Sequence, residues 1–193
     1  MMRSFCTIAA AIILATVLMQ AQPQAINLAP CNLACNECLR ITEPILKDPA
    51  DTWKGMKLLK GAEADTMLNA LQLTDSIGAE TDLKVSRIRT CALDDARALT
   101  TYFVQGAAAG VDHSIYAVVT ANGTPISNTC IGILKVDCAS TYVRGCMVEA
   151  DGTLRIAELE HRFDCETDTF QSTEQFDDSM LRLRSDGQFE PVH

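Results

Sequence analysis

Basic residues, aromatics and histidines are scarce in this chain, and each shortage weighs against a class of function. Sixteen Lys and Arg stand against 25 Asp and Glu, a net charge of −9 over 193 residues. Nucleic-acid binding needs a basic face to neutralise phosphates, so that class is disfavoured. An anionic membrane surface is disfavoured for the same reason. One Trp and three Tyr leave little for stacking sugar rings. His113, His161 and His193 are the only histidines. The chain has no G-x-S-x-G, no H-E-x-x-H and no glycine loop able to cradle a phosphate. Asp112-His113-Ser114 contains the residue types of a catalytic triad, but adjacency in sequence does not create triad geometry. No segment after residue 19 is as long and apolar as a membrane helix, which needs about 20 residues.

What is present begins with the order of a secretory leader. Arg3 supplies a positive start, Ile8 to Met19 is an uncharged apolar run, and the small residue Ala21 precedes polar, Pro-containing sequence. A signal peptide is predicted over 1–21, with cleavage after Ala21 or alternatively Ala25. Residues 22–193 then form a single secreted domain, soluble and without a membrane segment. A chain of this size buries about 70% of its unfolded surface.

Cysteine usage agrees with export. Cys6 leaves with the leader, and Cys31, Cys35, Cys38, Cys91, Cys130, Cys138, Cys146 and Cys165 remain. An even number in an exported chain predicts four disulfides, whose pairing the sequence does not fix. Cys31-x3-Cys35-x2-Cys38 also has closely spaced thiols. It lacks a nearby His or a second C-x2-C, so staples are the better reading than zinc.

Along the chain, Asp48-Pro49 reads as a helix start, with Asp as N-cap and Pro at the first helical position. Trp53, Met56 and Leu59, then Met67, Leu68 and Leu71, recur at helical spacing. They predict helices over 49–60 and 63–73 whose apolar stripe is core. After Gly78 the character shifts to short segments rich in β-branched and aromatic residues. Three hairpins are expected over 114–127, 142–163 and 180–192, turning at Asn122-Gly123, Asp151-Gly152 and Asp186-Gly187. A further strand is expected over 129–139. "GAAAG" (106–110) is small-residue loop sequence. The expected fold is α+β: a helical N-terminal part packed on an antiparallel β-sheet and stapled by disulfides.

The segment 147–158, "MVEADGTLRIAE", has two readings. With Gly152 at loop position 6, Asp151, Glu149 and Glu158 fall at positions 5, 3 and 12, and the segment resembles an EF-hand calcium loop. Cys146 and Cys165 bracket it, which also resembles the disulfide-bracketed EF-hand of osteonectin-like extracellular proteins. The resemblance implies Glu149, Asp151 and Glu158 as metal ligands. Met147 stands at position 1, where an oxygen donor belongs, and "ILKVDCASTYVRG" before it is poor helix sequence. A hairpin accounts for the same residues with no ligand missing. Ser185 to Val192 resembles the DG-x-F-x-P-V segment of thyroglobulin type-1 repeats over a few residues. The Cys that follows it in that family is absent, and no function carries over.

Acidic charge concentrates in 149–178, which holds ten Asp and Glu against Arg155 and Arg162. Such a surface suits a basic protein, a mineral or a divalent cation, or serves only for solubility. Asn122-Gly123-Thr124 is a glycosylation sequon, and Asn128-Thr129-Cys130 a weaker acceptor. The leading expectation is a secreted, non-enzymatic, disulfide-stabilised acidic protein acting by binding, as a matrix, mineral-associated, defence or signalling factor. It needs no cofactor, unless calcium. The alternatives are a carrier of a small hydrophobic ligand and a secreted hydrolase.

Overall fold

The computed structural model describes residues 25–31, 33, 55–73, 83–106 and 111–192. The predicted leader, Cys35, Cys38, the Asp48-Pro49 helix start and Trp53 lie outside them.

The fold is an antiparallel β-sheet with one short helix among the described residues, which corrects the expected α+β architecture. The strands are β1 Ala25–Ile26, β2 Lys57–Leu58, β3 Lys84–Ala92, β4 Arg97–Gln105, β5 Val111–Ala121 and β6 Thr124–Val136. They continue with β7 Ser140–Val148, β8 Leu154–Asp164, β9 Thr169–Gln175, β10 Ser179–Arg184 and β11 Phe189–Pro191. Strands β3 to β8 form a continuous meander, each paired with its sequence neighbour. The helix α1, Ala62–Ala70, falls inside the predicted 63–73 span. The predicted 49–60 helix is contradicted where it can be seen. Lys57 and Leu58 pair with Arg87 and Ser86 of β3, because a strand edge was available to accept them. Tertiary pairing overrides a weak local helical pattern.

All three predicted hairpin turns form. Asn122 and Gly123 both take positive φ, 50° and 81°, as a tight two-residue turn between β5 and β6 requires. Gly152 turns β7 into β8, and Gly187 turns β10 into β11.

β4 and β5 are buried on both faces. Leu99, Phe103, Ile115, Ala117 and Val119 point to one core, whereas Tyr102, Val104 and Val118 point to a second. That double burial explains why these strands read as apolar runs rather than alternating patterns. Met67 of α1 and Leu71 just after it, with Leu59, cover the second face over Val85.

The sheet is rolled. Five strand steps separate β10 from β4, about 24 Å if flat. Yet the Arg97 guanidinium at the start of β4 donates to the Ser185 carbonyl just after β10. Ser127 Oγ donates to the Gly187 carbonyl, and Gln188 Nε2 donates to the Ile126 carbonyl at 3.1 Å. The roll is possible because β6 and β7 pair only over Ile133–Val136 with Thr141–Arg144. Beyond Arg144, β7 has no β6 partner and follows β8 alone.

One short segment closes the roll. Residues 25–31 begin as β1 on β10, pass over the β7–β8 turn, and end at Cys31, bonded to Cys91 of β3. Leu28 is completely buried in the main core beside Leu154, Ile156 and Leu183. Asn27 lies so close to the β7–β8 turn that a Cβ on Gly152 would fall 2.6 Å from its Oδ1 and 2.7 Å from its Cα. Gly152, at φ 85°, therefore serves both the turn and the closure.

Two disulfides are defined, Cys31–Cys91 and Cys138–Cys165. Cys146 is also disulfide-bonded, its partner outside the described residues. Cys130 is a free thiol, which departs from the expectation that it joins a bridge.

The Cys31–Cys91 bond closes a 60-residue separation, for which the chain-entropy relation gives about 4 kcal/mol. Replacing both cysteines by Ser should lower the melting temperature by roughly 10 °C. Thermal unfolding by circular dichroism checks this; an unchanged midpoint would deny the closure its role.

Candidate binding surface

Beyond the rolled core, the far ends of β6, β7 and β8 continue with β9 as a four-stranded arm. β9 pairs with β8 from Leu159↔Gln175 to Asp164↔Thr169. The Cys138–Cys165 disulfide ties the tip of the β8–β9 hairpin to the β6–β7 turn. Asp137 Oδ1 in that turn accepts from the Ala139 and Ser140 N–H groups at 2.8 and 2.7 Å. The arm is thus held at its tip by a covalent bond rather than by core packing.

One face of the arm is polar. The register brings Arg144 opposite Glu158 and Tyr142 opposite Glu160. Arg144 Nη2 pairs with Glu158 at 2.7 Å, and the Tyr142 hydroxyl donates to the same carboxylate. Arg162 joins Glu160 and Glu174 at 3.0 and 3.2 Å. The Tyr142 ring meets Phe176 edge-on at 6.3 Å. Burial pushes the Tyr142 hydroxyl above its ordinary range, and its bond to Glu158 adds to the shift. The opposite face carries an aromatic row: Phe163 and Phe170 meet edge-on at 6.1 Å, and His161 lies 6.4 Å from Phe170. His161 Nδ1 is bonded to Thr173 Oγ1 at 2.8 Å.

The three carboxylates proposed as metal ligands are directed to separate protein groups. Glu149 pairs with Arg155 at 3.2 Å, and Glu158 with Arg144. Asp151 Oδ1 accepts from the Thr153 N–H at 3.0 Å and from its hydroxyl at 2.7 Å. The stretch is the hairpin turn, closed by Gly152 N–H donating to the Glu149 carbonyl and Glu149 N–H to the Thr153 carbonyl. Among the described residues no group of three or more His, Cys, Asp or Glu is placed to hold a metal.

The remaining candidates are dispersed. Asn122 sits exposed at its turn, its N–H donating to the Ala96 carbonyl at 2.7 Å. Asn128 Nδ2 instead donates to the Ala70 carbonyl at 3.0 Å. His113 and Ser114 are successive residues of β5 and so face opposite sides, and the His113 ring lies 5.1 Å from Phe103. Cys130 is half-buried on β6, its thiol donating to the Gly132 carbonyl at 3.4 Å. Burial pushes that thiol up, partly opposed by the nearby Arg144 guanidinium, so it stays protonated and weakly nucleophilic. An even cysteine count gave no sign of this unpaired thiol.

The region 149–178 therefore divides. Glu149, Glu158, Glu160, Glu174 and Asp178 are met by arginines, Asp178 by Arg155 at 3.8 Å. From Phe163 to Asp178 there are six acids and no Lys or Arg. Every residue from Cys165 to Asp178 is exposed, and Phe170 is 60% exposed. The chain matches no protein-family model, no curated protein and no solved structure. The arm's own chemistry is the guide to its use.

Two predictions follow the carboxylates. About 1 mM calcium, the range of extracellular calcium modules, should leave the melting temperature unchanged; a rise abolished by Glu158→Gln would restore the cation reading. The second concerns acid. The Arg97 side chain, then the Ala96 N–H, hold Asp94 below its ordinary pKa. The Thr153 N–H does so for Asp151, and the Thr167 and Glu166 N–H groups for Asp164. A carboxyl more acidic in the folded state stabilises it above the unfolded pKa, and this is lost on acidification. Urea midpoints should decline from about pH 5 to pH 2, and less steeply when all three are Asn.

Proposed function

We propose that this is an exported, non-enzymatic protein that works by binding, and that its contact surface is the acidic β8–β9 arm. The observation that carries the reading is the run 163–178: six acids and no Lys or Arg, with only Glu174 and Asp178 met by arginines from outside it, on a hairpin whose β9 residues are all exposed. A surface kept only for solubility would be expected to spread its charge, whereas here the arginines neutralise the acids nearest the core and leave the outer ones facing solvent. A net charge of −9 steers positively charged partners toward such a face. The disulfides, and the lack of a membrane-length apolar helix among the described residues, are compatible with export. A glycan on Asn122 fits the same reading, since that turn is exposed and remote from the arm in sequence. The partner class is a basic protein segment, as in a matrix, defence or signalling setting. The carrier alternative has less support, because Leu28, Phe103, Ile131 and Leu183 occupy the interior of the roll.

Binding of a fluorescent Lys-rich peptide, followed by anisotropy, tests the reading. Affinity should fall steeply with added salt. It should drop at least about tenfold when Asp164, Glu166, Asp168 and Asp177 become Asn or Gln. Equal binding by that variant would remove the arm from the account.

A further inference from the structure

The edge of β9 is open. Among the described strands β9 pairs only with β8, and all seven of its residues are exposed. Phe176 N–H donates to the Glu158 carbonyl at 3.1 Å. In an antiparallel ladder the main-chain groups alternate in direction, so Gln175 and Thr173 turn their N–H and C=O away from β8. Natural edges are commonly guarded by Lys, by Pro, or by a covering loop. Thr169-Phe-Gln-Ser-Thr-Glu-Gln175 contains no Lys and no Pro. The ladder steps from Arg162↔Ser172 to Phe163↔Phe170, so Gln171 is an extra residue of β9 and the regular edge runs over Ser172–Gln175. The backbone template is rigid as well, because the hairpin tip is bonded to the β6–β7 turn.

Charge selects the occupant. Glu166 and Asp168 lie before β9, and Asp177 lies after it. Within the strand Glu174 is met by Arg162 at 3.2 Å. The unmatched negative charge is therefore at the two ends of the edge, with Thr, Gln and Phe170 between. A second copy would bring like charges together at these ends, which disfavours self-pairing.

We propose that β9 is a strand-addition site that binds an extended peptide of another protein. The peptide would pair with the regular edge at Thr173 and Gln175 and continue past the bulge at Gln171 toward each acidic end, about seven residues in all, roughly 23 Å. It would place a Lys or Arg near each end and uncharged β-forming residues between, one of them against Phe170. Main-chain hydrogen bonds supply affinity and the end charges supply selectivity. This rests on the acidic arm being the contact surface and adds the manner of contact.

The test uses the full mature protein and two synthetic peptides of sequence Lys-Val-Thr-Val-Thr-Val-Lys, one unmodified and one N-methylated on alternate backbone amides. Both carry the same charges, but the second cannot complete the ladder. The unmodified peptide should bind at least about tenfold more tightly, the loss expected when several hydrogen bonds go unmade. Thr173→Pro removes an outward-facing N–H that β8 does not use, a position where sheets tolerate Pro. It also gives up the exposed Thr173–His161 bond, so its melting temperature should fall by only a few degrees, while the preference between the peptides is lost. Equal binding of the two peptides overturns strand addition while leaving the acidic surface standing. Failure of both peptides to bind overturns both readings. A dimer by sedimentation that Thr173→Pro dissolves would assign the edge to a second copy and overturn the proposal.

Discussion

Closure of the rolled sheet by residues 25–31 is the constraint on which the other features depend. A rolled sheet has two margins, and here they are β3, with the short β2 on Ser86 and Arg87, on one side and β10 with β11 on the other. The segment joins them by three means: β1 pairing with β10, Leu28 buried at the centre, and Cys31 bonded to Cys91. Without it, Leu99, Phe103 and Ile115 on one wall would have no fixed relation to Leu154, Ile156 and Leu183 on the other. Polar contacts between Arg97 and Ser185, and between Ser127 and Gly187, follow from that closure. The Arg97 contact, which is exposed, specifies register at the seam more than it supplies energy.

The arm is a consequence of where the roll stops. β7 leaves β6 after Arg144, and the strands beyond that point on the other side, 133–136, 140–144 and 158–164, are no longer wrapped around the main core. β9 is then added with no layer against it among the described residues. A disulfide at its tip replaces the apolar packing that elsewhere holds strands in place. This division lets one part of the chain be stabilised by burial while another remains exposed and charged. Arginines mark the border between them, with Arg144, Arg155 and Arg162 each meeting a carboxylate.

Local features were legible in the sequence. The three hairpins were visible because Asn-Gly and Asp-Gly satisfy positive φ, a requirement that two residues alone decide. The helix at Ala62–Ala70 was visible from Met67, Leu68 and Leu71, whose spacing is local as well. The fold class was not. Leu99 to Val104 is buried on both faces, so it lacks the alternation that identifies a strand with one wet side. The pairing of Lys57–Leu58 with β3 depends on residues some thirty positions later, and no local pattern reports it. The rolling depends on contacts such as Arg97 to Ser185, far apart in sequence. Of the candidate site, the concentration of acid in 149–178 was legible, but its division into arginine-paired and solvent-facing halves needed the register of β7, β8 and β9. The unpaired state of Cys130 was hidden by an even cysteine count.

The closure is tested most directly by mapping the disulfides of the natively folded protein, using proteolysis after alkylation of free thiols at neutral pH and mass spectrometry of the linked peptides. The account predicts a peptide joining Cys31 to Cys91, another joining Cys138 to Cys165, and Cys130 in no linked peptide. A bond from Cys91 to any cysteine other than Cys31 would contradict it, because the segment would then not join the two margins of the roll.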